Sequence, residues 1–358
     1  MEIKSLTENA ISLLKELIET PSFSTEEAQT AVLIENWFTN HSMPFHRTKN
    51  NIWATNKYFD ERKPTLLLNS HHDTVKPNTS YSKDPFKALV EDGKLYGLGS
   101  NDAGGCLVSL IATFTHFYTK KNLSYNLVIV ASAEEENSGK NGLNSMLPII
   151  PHIDVAIIGE PTLMQLAVAE KGLVVFDAEV AGTQSHAAHP NTNNAIYNSI
   201  EVLQWFQDFK FKKTSKALGD VKMTVTQIAA GSQHNVVPAQ VNLVVDVRVN
   251  DAYSNQEIAS ILQEESPCTK ITPRSLRLNS SAISTDHPIV KAGIAMGRTT
   301  YGSPTLSDQA VLSCQSLKLG PGDSTRSHSA DEFIYLSEIE EGIQLYVELL
   351  NHVLLSAI

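Results

Sequence analysis

The chain has 358 residues, 42% hydrophobic and 19% charged, with a formal net charge of −11 and three cysteines. No cluster of Lys and Arg offers a face to a phosphate backbone, and Cys106, Cys268 and Cys314 are too few and too scattered for a disulfide framework, so nucleic acid is excluded as a partner and a reducing compartment fits best. No segment approaches the roughly 20 apolar residues of a membrane span, and no basic stretch followed by an apolar run opens the chain, which leads us to expect a cytoplasmic protein without a membrane partner.

In chain order, Leu6, Ala10, Leu13, Leu14, Leu17 and Ile18 recur at helical spacing and stop before Pro21, which predicts an amphipathic helix. A second helix is expected over residues 26–40. Residues 65–69, 127–131 and 155–158 are apolar runs too short for helices and read as strands buried on both faces. Helical stretches at about 103–118 and 139–150 separate them. This alternation predicts an α/β fold with a mostly parallel central sheet flanked by helices, and in such sheets ligands sit beyond the carboxyl ends of the strands. From Gly172 the pattern changes: residues 173–180 and 241–249 alternate apolar and polar positions, as strands with one solvated face do, and helical patterns at 194–209 and 254–264 lie between or beside them. After about Ser284 helices and buried strands return, ending in a long helix over 337–355. An α+β domain of residues 171–283 inserted into a core of 1–170 and 284–358 accounts for this best.

The predicted strand ends carry residues that bind metals. The first runs into His71, His72 and Asp73, where a carboxylate two residues after a His can fix its tautomer. Asp102 follows a glycine-rich turn, GKLYGLGSNDAGG, which lacks the third glycine and the Lys-Ser/Thr pair of a phosphate loop. Glycines let a carboxylate approach a crowded site closely. The next strand ends in Glu134, Glu135 and Glu136; such a triplet is either a solvated face or, with alternating side chains, a ligand beside a base. Glu160 ends a fourth strand before Pro161, and His328 sits in a polar loop, GPGDSTRSHSADE, where a surface role is the alternative. A His and three carboxylates at strand ends, with a distant His, suit two divalent ions such as zinc, with cobalt as a substitute; such a pair polarises a carbonyl and acidifies water, so hydrolysis follows.

With these residues the chain resembles, over nearly its whole length, the two-zinc deacylase and peptidase family that contains acetylornithine deacetylase, succinyl-diaminopimelate desuccinylase, aminoacylase and glutamate carboxypeptidase. The resemblance implies that His71 and Glu160 hold one metal, Glu135 and His328 the other, with Asp102 bridging, Asp73 supporting His71 and Glu134 as general base. It implies that 171–283 is a lid and homodimerisation domain. There GTQSHAAHP makes His186 the candidate for steadying the oxyanion, GSQHNVVP makes Asn235 a polar contact, and DVRV makes Arg248 the clamp for a substrate α-carboxylate; a loop His, a turn Asn and an exposed strand Arg are the alternatives. LSDQAVL and the His328 loop look most like the acetylornithine-deacetylase branch, which implies a small N-acyl amino acid as substrate in arginine biosynthesis. Asp308 is a candidate contact for its side chain and Ser307 for a helix N-cap. Two departures bear on tuning and substrate: GLGSNDAGG lacks the family's usual Arg and Lys, and Ala133 stands where an Asp opens the usual triplet.

Overall fold

In a computed structural model, which describes residues 2–355, the chain forms two compact units. The first takes the chain to Val168, then Ala282–Tyr301 and everything described from Ser307; the second is Ala169–Ser281 with Gly302–Leu306. The sequence places the changes of pattern at 170/171 and 283/284, and nothing in composition marks the short return at Gly302–Leu306. Among the described residues no helix is long and apolar enough to cross a membrane.

In the first unit four strands run parallel in the spatial order Asn126–Ser132, Thr65–His71, Val155–Ile158 and Gln315–Lys318. Asn51–Thr55 adds antiparallel to Asn126–Ser132, and His46–Thr48 beyond it. Thr65–His71 is buried at every position, as its apolar run requires. Leu66, Leu68, Ile129, Ile157 and Leu317 belong to a core that includes buried residues of the helices Ile3–Ile18, Ala28–Asn40, Gly105–Phe117 and Leu336–Leu354. Leu67, Val128, Val130, Ala156 and Ile158 point the other way, onto Leu143, Met146 and Ile150. The result is the mostly parallel α/β fold expected. One helix departs from expectation: instead of 139–150 only Leu143–Met146 is helical. Leu147 keeps helical dihedrals, φ −55° and ψ −35°, but Pro148 has no N–H with which to continue the helix, and Gly142 just before the helix weakens its start.

The second unit is a four-stranded antiparallel sheet, in the order Lys222–Ala230, Gln240–Val249, Gly172–Ala181, Lys270–Pro273. Val174, Phe176, Ala178, Val180, Val241, Leu243, Val245 and Val247 bury one face together with residues of the helices Ala195–Asp208 and Asn255–Glu265. Asn194 caps the first helix by accepting from the Ile196 N–H, and Ser254 with Glu257 forms a capping box on the second.

Candidate metal centre

Register sets the site. His71 lies opposite Ser132, Asn69 opposite Ile158, and Ile158 opposite Lys318, so the four parallel strands end nearly level, and the loops beyond that edge carry the candidate ligands.

His71 is the last residue of its strand and 1% exposed. Its Nδ1 lies 3.0 Å from the Asp73 carbonyl oxygen and 3.4 Å from the Asp73 carboxylate. This fixes the ring with Nε2 facing outward, and that buried Nε2 has no hydrogen-bond partner. Around it stand Asp102 at 3.4 Å, Glu135 at 3.9 Å and Glu160 at 4.0 Å. Two ligand atoms each about 2 Å from a tetrahedral ion stand roughly 3.3 Å apart, so these separations suit a cation between them better than direct hydrogen bonds. His72, one residue on, turns the opposite way and lodges between Thr30 Oγ1 at 2.8 Å and the Asn50 carbonyl at 2.9 Å, where burial lowers its pKa to about 4.

Asp102 sits in a tight turn, Ser100–Gly104, with extended dihedrals of its own, φ −118° and ψ 96°, and the Asp102–Ala103 peptide is cis. A Cβ on Gly104 would lie 2.5 Å from the Gly99 carbonyl oxygen, and Gly99 has φ +75°, so both glycines are required for the approach. The Asp102 carboxylate reaches toward His71 on one side and lies 3.7 Å from His328 Nε2 on the other.

The glutamate triplet departs from the expected arrangement. Glu134 takes a left-handed backbone, φ +55°, so the chain turns and the strand's side-to-side alternation does not continue. Both Glu134 carboxylate oxygens are taken by Asn141, through its backbone N–H at 3.1 Å and its side-chain amide at 2.8 Å, while its own N–H donates to Glu27. The next two residues face the cluster. Glu135 and Glu136 donate their N–H groups to Asp73 at 3.0 and 3.1 Å, and Ser24 Oγ donates to the same carboxylate at 2.6 Å. Glu136, not Glu135, meets His328, at 2.9 Å. Two triads result, His71, Asp102, Glu136 and His71, Glu135, Glu160, each with ligand atoms within 4.8 Å of one another.

Charge in this cluster is concentrated. Burial, with Glu160, Asp308 and Glu136 nearby, pushes the Glu135 carboxyl well above the usual range despite His71. Burial and Asp102 raise Glu160 to about 8. Burial opposes a charge on His71, but Asp102, Asp73 and Glu135 outweigh it and hold its pKa well up. The hydrogen bond to Glu136 lifts His328 to about 9. So many carboxyls in one low-dielectric pocket cannot all ionise without added positive charge. The donor set, mixed carboxylate and imidazole with an orphaned His71 nitrogen, fits a pair of divalent cations.

The other expected residues stand outside the two triads. Asp308 accepts from Ser132 Oγ at 2.6 Å, and Ser307 caps the short helix Asp308–Val311. In the second unit, Ser185–His186 pairs with Val236–Val237, which brings exposed His186 near exposed Asn235, whose carbonyl accepts from the Ala187 N–H at 2.9 Å. Arg248 grips Asp246 through Nε and Nη2 at 2.8 and 3.0 Å. Two residues to which the sequence assigned no role emerge here: Glu136, third in the triplet, and Glu332, 1% exposed, which accepts from the Asn101 and Asp102 N–H groups. An acid four residues after a candidate ligand His is the only signal that could have marked Glu332.

Peptidase family M20/M25/M40 matches residues 67–352. The chain is 28% identical, over an alignment 379 positions long, to the acetylornithine deacetylase of Proteus mirabilis, covering 96% of each chain. It is 27% identical to the succinyl-diaminopimelate desuccinylase of Rickettsia felis, covering 71% of this chain and 72% of that one. In three dimensions it is similar to the Bacillus subtilis YXEP protein, described as a dinuclear metal binding peptidase, with a TM-score of 0.75, 14% identity and coverage of 99% and 100%. The chain thus belongs to peptidase family M20/M25/M40 and is an amide-bond hydrolase.

Proposed function

We propose that the chain deacylates a small N-acyl amino acid, with N-acetylornithine as first choice and the N-acetyl or N-succinyl forms of citrulline and ornithine next, using two divalent cations, zinc by preference. The observation that carries this is the orphaned His71 Nε2 facing Asp102, Glu135 and Glu160 at the edge of the parallel sheet. The acetylornithine deacetylase relative, aligned along 96% of both chains, favours that branch.

His71 and Glu160 would hold one cation, Glu136 and His328 the other, with Asp102 between them. When bound, such a pair polarises the scissile carbonyl and acidifies nearby water. Glu136 thereby takes the ligand role expected of Glu135, and Glu135 the base role expected of Glu134. The Glu135 carboxylate accepts a proton of the attacking water as the water oxygen bonds to the carbonyl carbon, and delivers it to the amide nitrogen as the C–N bond breaks, leaving a carboxylic acid, which passes its proton on to the free amine to give carboxylate and ammonium. Asp73 holds the His71 ring and both glutamate backbones at once.

The test is amine release from acetyl- and succinyl-ornithine, acetyl- and succinyl-citrulline, and di- and tripeptides, with purified protein and added Zn²⁺ or Co²⁺. Turnover of an acyl-ornithine or acyl-citrulline is expected. Release from peptides alone would move the assignment to a peptidase, the word used of the YXEP protein.

A further inference from the structure

We infer that Glu332 is a positioning residue for Asp102, holding the loop that aims the Asp102 carboxylate between His71 and His328. This rests on the two-cation reading above.

Glu332 Oε1 accepts from two successive peptide N–H groups, Asn101 at 2.8 Å and Asp102 at 2.9 Å. Those donors open the Ser100–Gly104 turn, so they lie before the point where a helix supplies its own acceptors. An outside acceptor is therefore needed, and a carboxylate makes the strongest such bonds. The acceptor is itself fixed. The Glu332 carbonyl receives the Gly97 N–H at 3.0 Å, and the next residue, Phe333, begins a strand paired with Tyr96, just before the glycine-rich turn. On the other side Asp331 accepts from the Ser82 and Lys83 N–H groups at 2.9 and 2.8 Å. The segment that carries His328 and the loop that carries Asp102 are thus joined through the buried Glu332 side chain, beside the Asn101 amide, which donates to the Asp323 carbonyl and accepts from the Asp323 N–H, both at 3.0 Å.

Asp73 has a similar geometry, with the N–H groups of Glu135 and Glu136 on one carboxylate. Each of the two central acidic loops is therefore anchored by a buried acid that takes two successive backbone N–H groups. A further buried acid beside Asp102 is costly in a site already crowded with carboxyls, which argues against a merely packed side chain.

The experiment titrates chelator-stripped full-length protein with Co²⁺, reading affinity by calorimetry and ligand geometry by the visible absorption of the ion, with melting temperature followed separately. Glu332→Ala should weaken Co²⁺ binding by about tenfold or more and alter the spectrum, since lost supporting contacts typically weaken metal sites 10- to 100-fold. Glu332→Gln keeps an oxygen that accepts both N–H groups and should stay within about threefold of the unaltered protein, since it removes the charge but not the contact. Wild-type affinity and spectrum in the Ala variant would overturn the inference, as would a Gln variant as impaired as Ala. Should Ala not fold, Glu332→Asp, too short to reach, decides in the same way: weakened binding supports the role and unchanged binding overturns it. If the unaltered protein binds no Co²⁺, it is the metal-centre reading that fails instead.

Discussion

His71 and His186 both end strands, yet their surroundings have little in common. His71 is buried, held by Asp73 through Nδ1 and left without a hydrogen-bond partner at Nε2 among carboxylates. His186 is exposed, and its Nδ1 accepts the Ala188 N–H at 3.1 Å within its own turn. The contrast extends to the units that carry them. In the first, polar groups are driven together at a burial cost that a bound cation or retained protons offset; in the second, Arg248 and Asp246 satisfy each other locally. The proposed metal centre therefore shows itself as unresolved electrostatics in the protein alone, whereas the proposed substrate contacts rest in ordinary hydrogen bonds.

The sharpest way to break this contrast lies within the glutamate triplet. Glu135→Gln should lower kcat by about 100- to 10,000-fold with metal content retained, the range for losing a general acid–base group. Glu134→Gln should leave kcat nearly unchanged, because its carboxylate serves Asn141. If kinetics gave the opposite ranking, the one-residue shift from the expected register would be wrong. Next in size is Arg248→Ala. Losing a charged clamp on an α-carboxylate is worth roughly 1.5–3 kcal/mol, about ten- to hundredfold in KM, with kcat little altered. A fall in kcat at constant KM would remove Arg248 from substrate binding.

The central strands were legible because burial on both faces forces unbroken apolar runs such as Leu66–Leu68. The helices of the second unit were legible from their helical spacing, and the structure adds the caps Asn194 and Ser254. His71, Asp102 and Glu160 could be picked out because strand ends and a glycine-rich turn mark them, and His328, in a polar loop, through the family resemblance. Assigning the triplet was beyond the sequence: the left-handed turn at Glu134 depends on Glu27 and Asn141, which are distant or unremarkable in the chain. Glu332 escaped for the same reason, since its carboxylate binds backbone atoms more than two hundred positions away.

A smaller effect concerns the first unit in metal-free form. Glu160 and Glu332 rise from 4.5 to about 8 through burial and the Asp102 charge, and His328 from 6.5 to about 9 through Glu136. The native state then holds protons that the unfolded chain releases. The carboxyls' contribution is complete below about pH 4.5 and lost as pH rises through 8, and that of His328 is complete below 6.5 and lost through 9. Below 6.5 the neutral buried His72, lowered to about 4, pulls the other way. Chelated protein should therefore melt at progressively lower temperature from pH 6.5 to 9, and Zn²⁺ should flatten the slope by displacing the same protons. A melting temperature independent of pH in the chelated protein would contradict this.

The smallest effect tests whether the second unit's stability is as local as its hydrogen bonding. Ser254 accepts from the Glu257 N–H at 3.1 Å while Glu257 returns a bond to the Ser254 N–H at 2.8 Å. Ser254→Ala removes half of that exchange and should cost about 1 kcal/mol. Because the Ser254 hydroxyl bonds the start of its own helix, Co²⁺ affinity and kcat should not move. A Ser254→Ala protein that lost metal along with about 1 kcal/mol of stability would show that the two units share more than the polar chemistry of either suggests.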